Sequence, residues 1–101
     1  MTEAEWSRQF KGLFEMLGFR GYHTWMSKFS EKGFPDWTLC SAIQKRIIFV
    51  ELKSEIGKVS PAQDFWLDLL KSCDCEAYVW RPSDFDRAAE ILRRKPVNVS
   101  R

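Results

Sequence analysis

Apolar side chains recur near the start of the chain with the spacing of a helix. Trp6, Phe10, Leu13, Phe14 and Leu17 fall at i, i+4, i+7, i+8 and i+11, a single stripe on a 3.6-residue period. Thr2 followed by Glu5 has the form of a capping box, and Gly18 stands just past the stripe, so a helix is predicted from about Thr2 to Leu17. Phe19 to Trp25 is short, aromatic and β-favouring, with Gly21 interrupting it, and reads as a strand. Residues 27–35, SKFSEKGFP, have loop composition. Two strand candidates follow, Trp37–Ala42 and Arg46–Lys53, joined by a short turn near Gln44-Lys45. Alternation puts Ile48, Val50 and Leu52 on one face of the second, and Ile47, Phe49, Glu51 and Lys53 on the other. Both faces begin apolar, which marks a central strand covered on each side. Glu51 and Lys53 then emerge beside a core, a costly place for charges that have no use there.

Ser60 is placed to cap a second helix running to Ser72, with Pro61 at its first position and Phe65, Trp66, Leu69 and Leu70 as its buried stripe. Cys75–Trp80 reads as a strand. Ser83 opens a last helix to Arg93, with Phe85, Ala88, Ala89 and Leu92 inward. The order α-β-β-β-α-β-α predicts an α/β domain, one mixed β-sheet flanked by helices.

Composition narrows this further. The 101 residues fit one domain, expected over residues 1–95 with a frayed basic tail at 96–101. Hydrophobic residues at 45% and charged residues at 30% are a globular balance. Five Trp, eight Phe and two Tyr supply the bulky fillers that a small core requires. No apolar run approaches the roughly 20 residues of a membrane span, and the acidic, polar start MTEAEWSRQF is unlike a signal peptide. The net charge of +2 is too weak to argue for nucleic acid, and the pair Lys45-Arg46 reads as solvated surface. Three cysteines and one histidine make neither a disulfide framework nor a zinc site; free thiols in a reducing compartment, the cytoplasm, are expected.

The chemistry gathers around three ionisable residues: Asp36 before one strand, then Glu51 and Lys53 at the end of the next. Antiparallel pairing of these strands sets Asp36 opposite the end that carries Glu51 and Lys53. Two carboxylates there can share a divalent cation, and oxygen ligands suit Mg²⁺ or Mn²⁺. Such an ion acidifies water and neutralises charge on a phosphate, while a neighbouring lysine orients the water or contacts the phosphate. An isolated E-x-K is commonly a surface ion pair. The longer order is more specific: P-D, fourteen residues, E-x-K, then K-x-S-x-x-Q opening an amphipathic helix.

The segments GFPDW, FVELKSEIGKVSPAQDFWLDLL and YVWRPSDFD together resemble the virus-type replication-repair nuclease (VRR-NUC) domain, a minimal branch of the PD-(D/E)XK nuclease superfamily. The likeness is especially to the small stand-alone versions of bacteriophages, and spans roughly residues 5 to 92. It implies a restriction-endonuclease-like core, with Asp36 and Glu51 as metal ligands, joined by the Leu52 carbonyl oxygen, Lys53 as catalytic lysine and Gln63 as the glutamine of the following helix. Glu5, in preference to Glu3, is matched to the first-helix acid. The resemblance further implies Mg²⁺- or Mn²⁺-dependent cleavage of DNA, duplex or branched, in the host cytoplasm if the protein is viral. Stand-alone members look like junction-resolving homodimers; here the first helix or the strand around Tyr22 and Trp25 would supply the interface. Blander roles stay open: Gln63 and Glu5 as cap residues, His23 as a packing residue or phosphate contact, Lys58 and Arg81 as solvated side chains or phosphate contacts. Two other classes also stay open, a nucleic-acid-binding module without turnover and a protein-interaction domain with its aromatics on the surface.

Overall fold

The Thr2 hydroxyl accepts a hydrogen bond from the Glu5 N–H, and the Glu5 carboxylate accepts one from the Thr2 N–H, starting helix α1 (Glu3–Met16). The structure, a computed structural model, describes residues 1–25 and 29–94; the tail expected at 96–101 lies outside them. After α1 come strands β1 (Arg20–His23), β2 (Trp37–Ser41) and β3 (Arg46–Leu52), helix α2 (Pro61–Ser72), strand β4 (Glu76–Trp80), a single 3₁₀ turn (Pro82–Asp84) and helix α3 (Phe85–Arg93). The sheet order is β1-β2-β3-β4. The first two pairings are antiparallel, and β4 joins β3 in parallel after the α2 crossover. The element order and the mixed α/β class are those predicted. No helix among the described residues is long and apolar enough to cross a membrane.

One face of the sheet holds the core. Trp6, Phe10 and Phe14 of α1 are fully buried against Leu39, Ile48, Val50 and Leu52 of the strands and Ala88 and Leu92 of α3. The rings meet edge to face, Phe10 with Trp80 at 5.7 Å and Phe14 with Trp37 at 5.0 Å between centroids. The Trp6 indole N–H, otherwise a buried unpaired donor, donates to the Trp80 carbonyl at 3.0 Å. Gly21 stands inside β1 because the Phe14 ring lies where a Cβ would be.

The opposite face differs from the sequence expectation. Helix α2 covers it beside β4, with Phe34 wedged between Phe49 and Trp66 at 5.8 and 5.2 Å. Among the described residues nothing covers the face towards β1 and β2, so Ile47 is 57% exposed and β3 is covered on both sides only towards its C-terminal end. The predicted α2 stripe is also displaced. Leu67 is buried, Trp66 and Leu70 are half-buried, and Phe65 and Leu69 face solvent. Gln63, 66, 67 and 70 form the inward row, because Gln63 is tied to Glu51 and sets the helix's rotation. Ser83 does not open α3; the 3₁₀ turn precedes it, and Asp84 caps the Arg81 N–H at 2.8 Å. Arg46, read as surface, is buried: its guanidinium bonds both Glu76 oxygens (2.8 and 2.6 Å), Gln44 and the Ile91 and Arg94 carbonyls, pinning the end of α3 to the sheet. Its neighbour Lys45 holds the turn at φ 55.

Candidate active site

Antiparallel pairing of Trp37 with Val50 brings Asp36 to the end of β3, where Glu51, Leu52 and Lys53 follow one another. The Pro35-Asp36 segment is clamped from the main chain. The Thr24 N–H donates to the Asp36 carbonyl and the Thr24 hydroxyl to the Pro35 carbonyl, both at 2.7 Å. Asp36 Oδ2 in turn accepts from the Leu52 N–H at 2.8 Å, which fixes the carboxylate to the strand that carries its partner. Leu52 closes β3, and with Asp36 and His23 it lines a small cavity of about 270 Å³.

Glu51 points away from the aromatic core yet is 1% exposed. Gln63 Nε2 donates to its Oε2 at 2.9 Å, and Lys53 Nζ lies 3.4 Å from the same oxygen. The other oxygen, Oε1, is buried and has no hydrogen-bond partner among the described residues. Burial, and after it the negative charge of Asp36, pushes the Glu51 carboxyl up to about 7 despite the neighbouring Lys53. Asp36 is likewise raised by burial, against the lowering effect of the Leu52 N–H. Two carboxylates that both resist ionisation, one with a sealed and unpaired oxygen, make a site short of positive charge. A divalent cation fits that deficit. Among the described residues no group of three His, Cys, Asp or Glu side chains gathers for a metal.

Gln63 makes two sets of contacts. It completes the capping box of α2 with Ser60 (3.2 and 2.8 Å) while its amide nitrogen reaches Glu51. Glu5 is held in the α1 cap: the Thr2 backbone hydrogen bond lowers its carboxyl pKa, and its side chain stays exposed there. The first-helix acid that faces the site is Glu3, which lines the small cavity with Asp36 and whose charge helps raise both site carboxyls. A cue was present in the sequence, since Glu3 continues the inward row of Trp6 and Phe10 by one helical step. His23 both packs, 4.7 Å edge-to-face on Trp37, and lines the cavity. Lys58 is exposed in the loop between β3 and α2. Arg81 is not solvated at random: its guanidinium donates to the carbonyls of Ser54, Glu55 and Gly57 in that same loop.

A family model for the VRR-NUC domain matches residues 5–84. The chain belongs to the VRR-NUC family. Membership makes it a nuclease domain, and the stretch matched by the family contains Asp36, Glu51, Lys53 and Gln63. A solved structure described as a VRR_NUC domain protein superposes on 94% of this VRR-NUC chain and 88% of its own, with a TM-score of 0.67 at 18% identity, which shows a shared fold. A Fanconi-associated nuclease 1 homolog of Schizosaccharomyces pombe (strain 972 / ATCC 24843) is 38% identical over 52 residues, 52% of this chain. The chain spans 7% of that relative's length.

Proposed function

We propose that this VRR-NUC domain is a divalent-metal-dependent DNA endonuclease of the PD-(D/E)XK type, acting on branched as well as duplex DNA. The observation that carries the reading is the buried, unpartnered Oε1 of Glu51 set beside Asp36, with Lys53 and Gln63 on the other oxygen. Asp36 and Glu51, with the Leu52 carbonyl, would hold Mg²⁺ or Mn²⁺, which when bound acidifies a water and offsets charge on the scissile phosphate. Gln63 holds Glu51 Oε2 and so fixes the direction in which Oε1 is offered. Lys53, drawn to 3.4 Å from that carboxylate and 12% exposed at its side chain, stands where its ammonium donates to a phosphate oxygen or orients the attacking water. The working unit in this reading is a homodimer, because symmetric cutting of a four-way junction requires two sites.

The test uses linear, flapped and four-way DNA with Mg²⁺, Mn²⁺ or chelator. Cleavage is expected with either metal and not with chelator. Asp36→Asn and Glu51→Gln should each lower the rate by at least about 100-fold while leaving the fold intact. Lys53→Ala should be as slow but still bind Mn²⁺ by calorimetry, since the ammonium is no ligand. Cleavage in chelator, or undiminished in either carboxylate variant, overturns the reading.

A further inference from the structure

Next to the carboxylates lies a second, larger depression, an open groove of about 700 Å³ that shares Asp36 and Gln63 with the site. Its size falls in the ordinary range of small-ligand pockets, roughly 300–1,000 Å³. Trp25 forms part of its wall and is 77% exposed, an unusual setting for the bulkiest side chain in a domain whose core is built from aromatics. The main chain leading into Trp25 is held at Thr24, whose N–H and hydroxyl donate to the Asp36 and Pro35 carbonyls. The facing wall is held too. Gly33, at φ 91, lets its loop press on the first turn of α2; a Cβ there would lie 2.8 Å from the Ala62 Cβ and closer still to its carbonyl. Phe34 continues that wall and is braced from behind by Phe49 and Trp66. Glu31 and Lys32 bring one charge of each sign to the rim. With Asp36 counted the lining carries two acids to one lysine, so flat apolar surface, not positive charge, is what the groove offers a ligand.

We infer that this groove seats one unpaired nucleotide of the DNA strand beside the scissile phosphate, with its base stacked on the Trp25 indole. The inference rests on the nuclease reading for its DNA ligand and adds a reason for substrate choice. A base inside a duplex has both faces covered by its neighbours, whereas one at a flap, a junction or an open end has a face free for an aromatic platform. The platform would thus favour DNA that is already unpaired next to the cut.

Binding in chelator separates this from catalysis. The probes are a short fluorescein-labelled oligothymidylate and a blunt duplex of equal length, followed by anisotropy. Trp25→Ala, at an exposed position that leaves the core untouched, should weaken oligothymidylate binding by roughly 5- to 100-fold and duplex binding by less than about twofold. Trp25→Phe should recover most of the loss. The same affinities for Trp25→Ala as for the unchanged chain, or equal losses on both probes, overturn the inference. So does a fall in oligomeric mass of Trp25→Ala by light scattering, which assigns the indole to a protein interface. A protein that cuts no DNA with any metal but keeps the Trp25-dependent difference would sink the nuclease reading and leave the groove standing; cleavage without that difference would do the reverse.

Discussion

Glu51 shows how much of this site is decided by single atoms. Among the described residues its Oε2 has two partners and its Oε1 none, in a position sealed from water. Its carboxyl titrates near 7 instead of the ordinary 4.5, so the folded chain holds that proton more tightly than the unfolded one. The stabilising contribution is therefore complete below about pH 4.5 and is lost as pH rises towards and through 7. Glu5 and Glu76, lowered by Thr2 and Arg46 respectively, act with the opposite sign at more acidic pH, so the informative quantity is a difference between variants. In metal-free protein, the melting temperature of Glu51→Gln minus that of the unchanged chain should increase by at least about 5 °C between pH ~5 and pH ~8. Mn²⁺ at the upper pH should raise the melting temperature of the unchanged chain and not of the variant. A difference that stays flat with pH counts against a buried, charge-deficient carboxylate. The need for this residue was legible in the sequence, because a charge ending an apolar strand is costly without a use. The choice between Glu3 and Glu5 was not settled by motif spacing: both lie in the first turn, and the capping box turns one of them back on Thr2.

At the scale of elements, the loop between β3 and α2 joins Lys53 to Gln63, and it is tied to the far side of the site by Arg81. The Arg81 Nη1 bonds the carbonyls of Ser54 and Gly57 at 2.5 and 2.6 Å and that of Glu55 at 3.3 Å, while the Glu55 carboxylate accepts from the Ser83 N–H at 3.1 Å. Arg81→Ala would leave these carbonyls without their donor and free the segment that sets the spacing of Lys53 and Gln63. A loss of about 1.5–3 kcal/mol in denaturant unfolding is expected, with Arg81→Lys recovering part of it. An unchanged unfolding midpoint would show that water replaces the guanidinium without cost. The contacts of Arg81 go to main-chain carbonyls, which leave no residue pattern to find, and those of Arg46 go to Glu76 and Gln44 as well as to two carbonyls of α3, partners that only the fold brings together. The rotation of α2 was hidden for a related reason. Phe65, Trp66, Leu69 and Leu70 form a credible apolar stripe on their own, and only the Gln63–Glu51 bond, a contact between distant parts of the chain, turns the helix towards Leu67.

For the whole molecule, the strand and helix order was readable because each element carries its own period, and the pairing of β2 with β3 follows from a short turn. Which surfaces remain uncovered depends instead on how the layers stack. The α1 stripe, one of two interface candidates, is consumed by the core, with Trp6, Phe10 and Phe14 fully buried. That leaves the open half of the sheet. Tyr22 and Ile47 are 67% and 57% exposed and stand on the same face, in adjacent cross-strand rows with Thr38 and Cys40. With a radius of gyration of 13.6 Å, one copy reaches only a short stretch of duplex and carries one carboxylate pair. A two-fold dimer through this face would cover the exposed side chains and present two sites to the two-fold geometry of a junction. Light scattering at micromolar protein should give twice the single-chain mass. Tyr22→Glu with Ile47→Asp should halve that mass while preserving the far-ultraviolet circular dichroism spectrum, since neither side chain contributes to the core. The same variant should nick four-way DNA without making the paired cuts. A single-chain mass for the unchanged protein, both free and with junction DNA, would refute the dimer. Paired cuts by a double variant of single-chain mass would show that symmetric cleavage does not need it.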